Sequence, residues 1–407
     1  MNVLSASRWQ GSARGPVLKY YLYKATKAVE FYRPIMYLFF LAQGLDFTQI
    51  AVLEAIYNLT TLVGEIPSGY VGDRVGRRNS LLVGTVLISV TLLGIGLAES
   101  FLTLAVLYAC WSTGYNFRSG SEDAWLYDTL TDRLSEDEFA RVRGRGESAS
   151  LAVGAGAAIA GGYLGSIDLS YPWFVASAVT GLGAIVLLTL DEAETYEQTN
   201  AEELSFRRTV AIVKDALTRR NIRAFVLYYY VLYAAVTYLV FVFLQPIFET
   251  VVVDLGVASA RVEPLLGWFY AAYSLVGAVL SYYTGAIEER FGVRTWFLVL
   301  PFVVGAALVG MYFVPVLALP TFLVARGLSD VTRSLAGQYV NNRIDTVGRA
   351  TVLSAMAMVS GLAVVPFQLG SGVVSDSVSP LFALAVAGVA LVLGSGAVRL
   401  WEQPVSD

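Results

Sequence analysis

The sequence predicts an all-α membrane protein in which twelve transmembrane helices form two pseudo-symmetric six-helix bundles around a central cavity. Three observations support this prediction. The chain is 56% hydrophobic and only 15% charged, with a mean hydropathy of +0.61, whereas soluble domains carry about 25% charged residues. Long segments are nearly free of charge. One short charged turn also occurs twice, at positions separated by a little over half of the chain.

Twelve apolar segments are long enough to cross a hydrocarbon core, which needs about 20 helical residues. Any one of them alone could be the core helix of a soluble protein, but a single soluble core cannot enclose so many. We therefore expect spans at about 18–43, 48–70, 79–98, 101–128, 145–166, 171–190, 223–248, 262–286, 294–314, 316–342, 349–374 and 379–400.

One long polar stretch, 191–222, separates the first six spans from the last six. It predicts an N-terminal bundle over 1–190, a linker over 191–222 and a C-terminal bundle over 223–407. Apolar residues between Phe206 and Leu217 recur at helical spacing, with basic residues around the other faces. This pattern is typical of an amphipathic helix lying on lipid headgroups, and a solvated linker helix is the alternative.

Arginine and lysine concentrate in the loops on one side of the predicted membrane. The loops on the other side carry acids and a single base, Arg261. Because basic loops remain in the cytoplasm, we expect a multi-pass protein of the cell (plasma) membrane. Both termini, the linker and both charged turns would then be cytoplasmic.

The repeated charged turn follows the second and the eighth spans. Each copy reads as glycine, three residues, an acid, arginine, one residue and glycine, and the offset between the copies is 285 − 69 = 216 residues. Two homologous halves with a charged hairpin in each are the layout of a secondary transporter. The copies are Gly69, Asp73, Arg74, Gly76, Arg77 and Arg78, and Gly285, Glu289, Arg290, Gly292 and Arg294.

The turn Gly69 to Arg78 resembles the loop 2–3 signature of the major facilitator superfamily, and Gly285 to Arg294 resembles its loop 8–9 counterpart. Glu65 to Gly69, Ser119 to Asp128 and Arg349 to Ser354 are similar to patterns of the drug-efflux-like members. The resemblance covers the whole chain. It implies two bundles that face each other across a cavity lined by spans 1, 4, 7 and 10.

The resemblance assigns the two turns to a cytoplasmic gate. It implies that Asp73 caps the N-terminus of span 11, where the helix dipole favours a carboxylate, and that Arg77 reaches Asp128. The alternative is that the arginines only set the topology, which would not explain Asp73. The candidate gate residues are Gly69, Asp73, Arg74, Gly76, Arg77, Asp128, Glu289 and Arg290.

Charged residues inside the spans concentrate on spans 1, 2, 4 and 10. Each costs at least ~2.5–3.5 kcal/mol near the bilayer centre without a partner or water. Spacings of three or four residues permit pairs within one helix: Glu30 with Arg33, Arg118 with Glu122, and Arg326 with Asp330. One hypothesis is that these pairs are static. The other is that at least one acid faces a water-filled cavity and titrates, with Glu30 and Asp330 favoured.

Polar residues without charge extend the candidate site to spans 2 and 7. Tyr233, Thr237 and Gln245 lie at helical spacing on span 7, and aromatic rings there would favour organic cations through cation–π contact. For Tyr228 to Tyr230 a lipid-facing position is the alternative. The candidate substrate-binding or coupling residues are Glu30, Arg33, Glu54, Asn58, Arg118, Glu122, Tyr233, Thr237, Gln245, Arg326 and Asp330.

These features predict a secondary active transporter of small organic solutes, in which proton-coupled efflux proceeds by alternating access. The chain has no histidine and no Gly-x4-Gly-Lys-Ser/Thr loop, so we expect neither an enzyme nor a pump driven by ATP. Proton coupling is expected because burial can make a carboxylate titrate in the working pH range. A solute–proton symporter of the same fold, a membrane-embedded enzyme and a sensor are the alternatives. We expect no cofactor, no metal and no nucleic-acid partner, and a monomer that interacts with a small-molecule solute, protons and the bilayer.

Overall fold

A computed structural model describes residues 14–27, 29–133, 138–191, 222–343 and 349–405. Within these ranges the chain forms twelve helical segments and no strand. Each segment corresponds to one predicted span, so the prediction of an all-α protein with twelve helices is confirmed. The predicted amphipathic helix in the linker lies outside the described residues.

The helices are labelled α1 to α12 in chain order. Several extend beyond the predicted spans at polar ends, because backbone hydrogen bonding continues where the hydropathy has already fallen. The first six are α1 (Arg14–Thr26 and Met36–Ala42), α2 (Phe47–Val75), α3 (Arg77–Leu97), α4 (Phe101–Arg133), α5 (Phe139–Gly165) and α6 (Tyr171–Leu188). The last six are α7 (Arg223–Asp254), α8 (Val262–Tyr282 and Thr284–Phe291), α9 (Val293–Phe313), α10 (Ala318–Asn341), α11 (Arg349–Ser377) and α12 (Pro380–Trp401).

Eight of the described helices are long and apolar enough to cross a membrane, judged by length and composition. The four helices outside that group are α1, α2, α4 and α10. They are the helices on which the sequence places the intramembrane charges. In α2, α4 and α10 the polar groups of the candidate site lower the hydropathy, whereas each piece of the interrupted α1 is too short to be a span.

The first helix is interrupted, although the sequence analysis treats it as one continuous span. Between its two pieces the chain forms 3₁₀ turns at Val29–Phe31 and Arg33–Ile35. Pro34 has no N–H to donate and disfavours the helical conformation of the residue before it. The expectation of a continuous helix was wrong for this local reason.

One compact unit comprises residues 1–33 and 63–203, and we call it unit 1. In it, α3 packs against α4 and α6, and the first piece of α1 packs against α5. The α3–α4 contact is close, because a Cβ on Gly84 would lie 2.6 Å from the carbonyl oxygen of Gly114. The ring of Tyr32 stacks on that of Trp173, with ring centroids 4.4 Å apart.

The other compact unit, unit 2, comprises residues 34–62 and 204–407. In it, α9 packs against α12, α8 against α10, and α7 against α11. The second piece of α1 and the first half of α2 also belong to this unit. The predicted bundle boundaries at 191–222 remain a prediction, because the compact units follow a different division of the chain.

The repeated turn has the same backbone conformation in both copies. Gly76 has a φ of 98° and Gly292 a φ of 70°, and each residue precedes the first residue of the next helix. Both angles lie in the left-handed region that favours glycine. The repeat found in the sequence is therefore also a repeat of local structure.

The glycines of α5 allow the interrupted part of α1 to approach closely. A Cβ on Gly161 would lie 1.9 Å from the carbonyl oxygen of Phe31, and one on Gly154 would lie 3.0 Å from Cγ of Glu30. Gly156 has no such neighbour within 4 Å. The glycines of α5 thus include two at the contact with α1, Gly154 and Gly161, and one outside it, Gly156.

We predict that Gly161→Ala destabilises the protein by ~1–3 kcal/mol or more, because overpacking forces the backbone to shift. The matched control is Gly156→Ala, which has space for the methyl group and should leave stability unchanged or raise it by ~0.4–1 kcal/mol. Thermal unfolding of the two purified variants measures the difference. Equal melting temperatures would contradict the close α1–α5 contact.

Candidate functional site

A cluster of buried charges joins α1 to α4 and α5 in unit 1. The Nζ of Lys24 lies 3.0 Å from Oε1 of Glu122, and Lys27 contacts the other oxygen of the same carboxylate. Lys24 also contacts Glu147 on α5. Lys24 and Glu122 are 5% and 6% exposed. Because breaking a buried ion pair costs several kcal/mol, this cluster holds the first piece of α1 against α4.

Arg118 lies one helical turn before Glu122, but the two do not form the predicted pair within the helix. Glu122 instead pairs with two lysines of a neighbouring helix. Arg118 is buried, and its guanidinium carbon lies 5.9 Å from the ring centroid of Tyr23. Its side-chain stem contacts α3 at Gly84.

The other two predicted pairs form. Arg326 and Asp330 pair within α10, whereas Glu30 and Arg33 pair in the interrupted part of α1. Arg33 Nε lies 3.7 Å from Oε2 of Glu30, and Arg326 Nε lies 3.6 Å from Oδ2 of Asp330. All four side chains are partly exposed. The guanidinium of Arg326 also lies over the ring of Tyr273, 5.8 Å from its centroid. The distances and exposure are compatible with both hypotheses for these acids, static pairing and titration.

Glu54 is the buried carboxylate of unit 2, and two tyrosine hydroxyls donate hydrogen bonds to it. Tyr37 Oη lies 3.1 Å from Oε1, and Tyr238 Oη lies 2.6 Å from Oε2. The donors come from the second piece of α1 and from α7. Both hydroxyl partners are neutral, in contrast to the two ammonium groups that contact Glu122. Sequence reasoning proposed Glu54 but did not find its tyrosine partners.

Gln245 is fully buried and joins three elements of unit 2. Its Oε1 accepts a hydrogen bond from the backbone N–H of Tyr37 at 2.7 Å, and its Nε2 donates to Tyr270 Oη at 3.0 Å. The N–H of Tyr37 belongs to the first turn of the second α1 piece, where the helix itself supplies no acceptor. Gln245 therefore stabilises the restart of α1 after its interruption.

The other two candidates on α7, Tyr233 and Thr237, are hydrogen-bonded to each other within that helix. Tyr233 is buried and ends a π-helical stretch, Val226–Tyr233. The Thr237 hydroxyl donates to the carbonyl oxygen of Tyr233 at 2.8 Å. Such back-bonding satisfies the hydroxyl locally. Tyr228 is also buried and donates to the backbone of Phe297, so a lipid-facing position does not apply to it.

Asp376, near the end of α11, binds the first turn of α2. Its carboxylate accepts hydrogen bonds from the backbone N–H groups of Phe47 and Thr48, at 2.8 and 2.9 Å, and from the Thr48 hydroxyl at 2.5 Å. Asp46 accepts from the N–H of Gln49 at 2.7 Å. The carboxylates thus satisfy the free donors of this helix end, where negative charge is favoured. Asp376 is not among the candidate residues that the sequence indicated.

The same two helices approach each other closely at Gly372. A Cβ on this glycine would lie 2.8 Å from the carbonyl oxygen of Phe47 and 2.9 Å from Cα of Thr48. Farther along, Asn58 Nδ2 lies 3.4 Å from Oε1 of Gln368. We call the interaction of Asp376 and Gly372 with Phe47 and Thr48 the α2–α11 contact.

The structure describes most of the residues in the two charged turns. Arg77 Nε lies 2.9 Å from Oδ2 of Asp128, so the pairing that the resemblance implies is confirmed. Arg74, Glu289 and Arg290 are exposed. The side chain of Asp73 and those of 344–354 lie outside the described residues, and the proposed cap on α11 lies with them. A gating role for these residues remains a prediction.

The chain belongs to the Major Facilitator Superfamily. The sequence signature of that family matches residues 28–365, which include most of both repeated halves. Members of this family are multi-pass membrane transporters of small solutes. The signature does not distinguish the drug-efflux-like members from the other members.

Two curated relatives are similar to parts of the chain. The uncharacterized MFS-type transporter YxaM of Bacillus subtilis (strain 168) is 22% identical over 190 residues, which are 47% of this chain and 47% of that protein. The uncharacterized MFS-type transporter MJ1317 of Methanocaldococcus jannaschii is 24% identical over 162 residues, 37% and 40% of the two chains. The matched region thus spans less than half the length of either relative.

Several solved structures share the fold over nearly the whole chain. The nucleoside transporter NupG superposes with a TM-score of 0.77 at 12% identity, covering 95% of this chain and 98% of that one. A bacterial homolog of the human lysosomal transporter Spinster gives 0.70 at 16% identity, covering 96% and 97%. The D-xylose-proton symporter gives 0.62 at 13% identity, covering 93% and 95%. At these identities the likeness shows the fold alone.

We predict that Gly372→Ala weakens the α2–α11 contact, because the added methyl group overlaps the backbone of α2. Such overpacking costs ~1–3 kcal/mol. Each ~1.4 kcal/mol lost from the contact would lower the ratio of closed to open contact about tenfold. The reporter is a cysteine at position 58 (Asn58→Cys) in a Cys110→Ser background, labelled with a membrane-impermeant maleimide. Labelling should be faster in the Gly372→Ala variant.

The matched control for this experiment is Gly370→Ala, two residues earlier on α11. A Cβ at that position meets no atom within 4 Å, so labelling should proceed at the parental rate. If both glycine variants label at that rate, the close approach at Gly372 does not hold the contact closed.

Proposed function

We propose that this protein is a secondary active transporter that exports small organic solutes in exchange for protons by alternating access. The observation that carries the coupling proposal is the buried Glu54 carboxylate, which accepts hydrogen bonds from Tyr37 and Tyr238. It lies on one of the four helices that carry intramembrane charge. Efflux rests on the resemblance to drug-efflux-like members, and solute–proton symport is the alternative.

Glu54 suits proton binding better than Glu122 does. Two ammonium groups contact Glu122, so protonating it would leave two buried cations without their carboxylate. The hydroxyl partners of Glu54 are neutral and can accept as well as donate hydrogen bonds. Both protonation states of Glu54 can therefore be hydrogen-bonded at this position. Glu30 and Asp330, which the sequence favoured, are partly exposed and paired with arginine, and they become the second choice.

Protonation of Glu54 would change the contact between α2 and α7. Hydrogen bonds to an ionised carboxylate are roughly twice as strong as those between neutral groups. Adding a proton would thus weaken the bond from Tyr238 and loosen α2 within unit 2. The α2–α11 contact holds the same helix at its first turn. We propose that both interactions break and re-form in each transport cycle.

The proposed substrate class is small organic solutes, and the neighbours in structure suggest the first compounds to test. These neighbours include a nucleoside transporter, a D-xylose-proton symporter and a transporter of the POT family in complex with 5-aminolevulinic acid. A test panel of nucleosides, pentoses, amino acids, short peptides and amphipathic organic ions covers these chemistries.

The test uses purified protein in liposomes that contain a pH-sensitive dye. The dye reports proton movement, and the amount of solute inside the washed liposomes is measured separately by mass spectrometry. Proton movement opposite to the solute supports antiport, and movement in the same direction supports symport. If solutes cross without any proton movement, the coupling proposal is wrong. If no solute in the panel crosses, a sensor becomes the better interpretation.

We predict that Glu54→Gln abolishes transport driven by a pH gradient while exchange of solute across the membrane continues. The amide keeps the shape and hydrogen-bonding capacity of the side chain but cannot bind a proton. Tyr238→Phe should reduce coupled transport by about tenfold to 150-fold, the equivalent of a hydrogen bond to a charged group at ~1.5–3 kcal/mol. The measurements are solute-dependent proton movement and exchange of isotope-labelled solute in proteoliposomes.

The matched control is Glu99→Gln, since Glu99 is exposed between α3 and α4. This variant should transport like the parent protein. If Glu54→Gln keeps gradient-driven transport with the parental pH profile, Glu54 is not the coupling acid. Glu30→Gln and Asp330→Asn would then be tested in the same assay.

A further inference from the structure

We propose that the transported solute carries an anionic group, which binds to Arg118 together with the hydroxyls of Tyr23 and Thr85. The three side chains come from α4, α1 and α3 of unit 1. This inference rests on the proposed transport function and names the chemistry of its substrate. It departs from the expectation of organic cations that the tyrosines of α7 suggested.

The charges around Glu122 do not balance. Three cationic side chains, on Lys24, Lys27 and Arg118, interact in this cluster with two carboxylates, on Glu122 and Glu147. Both carboxylates are already in contact with lysine. The three cations outnumber the two carboxylates, so the cluster has a net positive charge.

The excess charge is located at Arg118. Its side chain is 6% exposed, and within the described ranges no carboxylate forms an ion pair with it. The neighbouring acid on α4, Asp123, is bound by Arg143, with Nε to Oδ1 at 2.7 Å and Nη2 to Oδ2 at 3.0 Å. A buried cation without an anionic partner is costly. An anion bound to it would remove that cost.

Two buried hydroxyls next to Arg118 also lack partners. Tyr23 Oη lies close to Thr85 and to the Arg118 guanidinium. Neither Tyr23 Oη nor Thr85 Oγ1 is in hydrogen-bonding geometry with any protein group in the described part of the chain. Both side chains are 1% exposed. A buried polar group without a hydrogen bond is unfavourable, so one position here brings together a cation and two unsatisfied hydroxyls.

This arrangement matches a carboxylate or a phosphate. The guanidinium presents a planar fork of N–H donors that binds two oxygens of such a group, and the hydroxyls can donate to the same oxygens. The stem of Arg118 is packed against Gly84, where a Cβ would lie 2.9 Å from its Cγ, so the fork is held in place. A cationic solute would instead be repelled by Arg118 and Lys27.

The first experiment measures stability without any solute. Arg118→Gln removes the excess charge and should leave the melting temperature unchanged or raise it. Glu122→Gln should lower it, because the two lysines lose their carboxylate. If Arg118 only held helices together, Arg118→Gln would lower the melting temperature as Glu122→Gln does, and that result would overturn the proposal.

The second experiment measures binding of small probes by their effect on the melting temperature of the full-length protein, at constant ionic strength. The probes are acetate, methyl phosphate, acetamide and methylammonium, which are similar in size and differ in charge. Acetate, methyl phosphate or both should raise the melting temperature, and their comparison distinguishes a carboxylate from a phosphate site. Acetamide and methylammonium should have no effect.

The variants assign this effect to the proposed site. Arg118→Gln should abolish stabilisation by the anions, Arg118→Lys should keep part of it, and Arg143→Gln, which removes an exposed arginine, should keep all of it. Anions that stabilise the parent protein and Arg118→Gln equally would contradict the proposal. So would methylammonium stabilising as strongly as acetate, or a complete lack of stabilisation by the anions.

The experiments distinguish failure of this inference from failure of the proposed transport function. If the proteoliposome assay identifies a transported cation, the inference fails while the proposed function holds. If anions bind at Arg118 but no solute crosses the membrane, the anion site stands while the proposed transport function fails.

Discussion

The need to neutralise charge inside membrane-spanning helices is the constraint on which the rest of this structure depends. Four of the twelve helices, α1, α2, α4 and α10, carry acids and bases that a hydrocarbon environment would not accept alone. Their partners determine which helices lie side by side. Glu122, for example, joins α4 to the lysines of α1. Helices also pack through small residues, as α3 and α4 do at Gly84 and Gly114.

In unit 2 the charges of α2 and α11 are stabilised in a way that permits α2 to move. In it, the carboxylates of Glu54 and Asp376 accept hydrogen bonds from hydroxyl and backbone N–H groups. These donors are neutral, so the loss of these hydrogen bonds leaves no cation buried alone. Glu122, with its two lysines, has the opposite character. This difference is the physical reason for assigning a structural role to Glu122 and a switching role to the α2 contacts.

The sequence predicted what depends on local pattern. Twelve helices followed from hydropathy, the repeated turn from glycine spacing, and the Glu30–Arg33 and Arg326–Asp330 pairs from helical periodicity. The partners of Glu122, Glu54 and Asp376 could not be predicted, because they depend on how whole helices are rotated against one another. The interruption of α1 had a local signal in Pro34. The Arg77–Asp128 pair was implied by the resemblance to the superfamily rather than by local pattern.

The central claim is that the α2–α11 contact must open during transport, and a reversible cross-link tests it most directly. Cysteines would replace Thr48 and Asp376, whose side chains touch, in a Cys110→Ser background. A disulfide at this position should stop solute-dependent proton movement in proteoliposomes, and reduction should restore it to the level before oxidation. Transport that continues at the full rate with the cross-link complete would contradict the account.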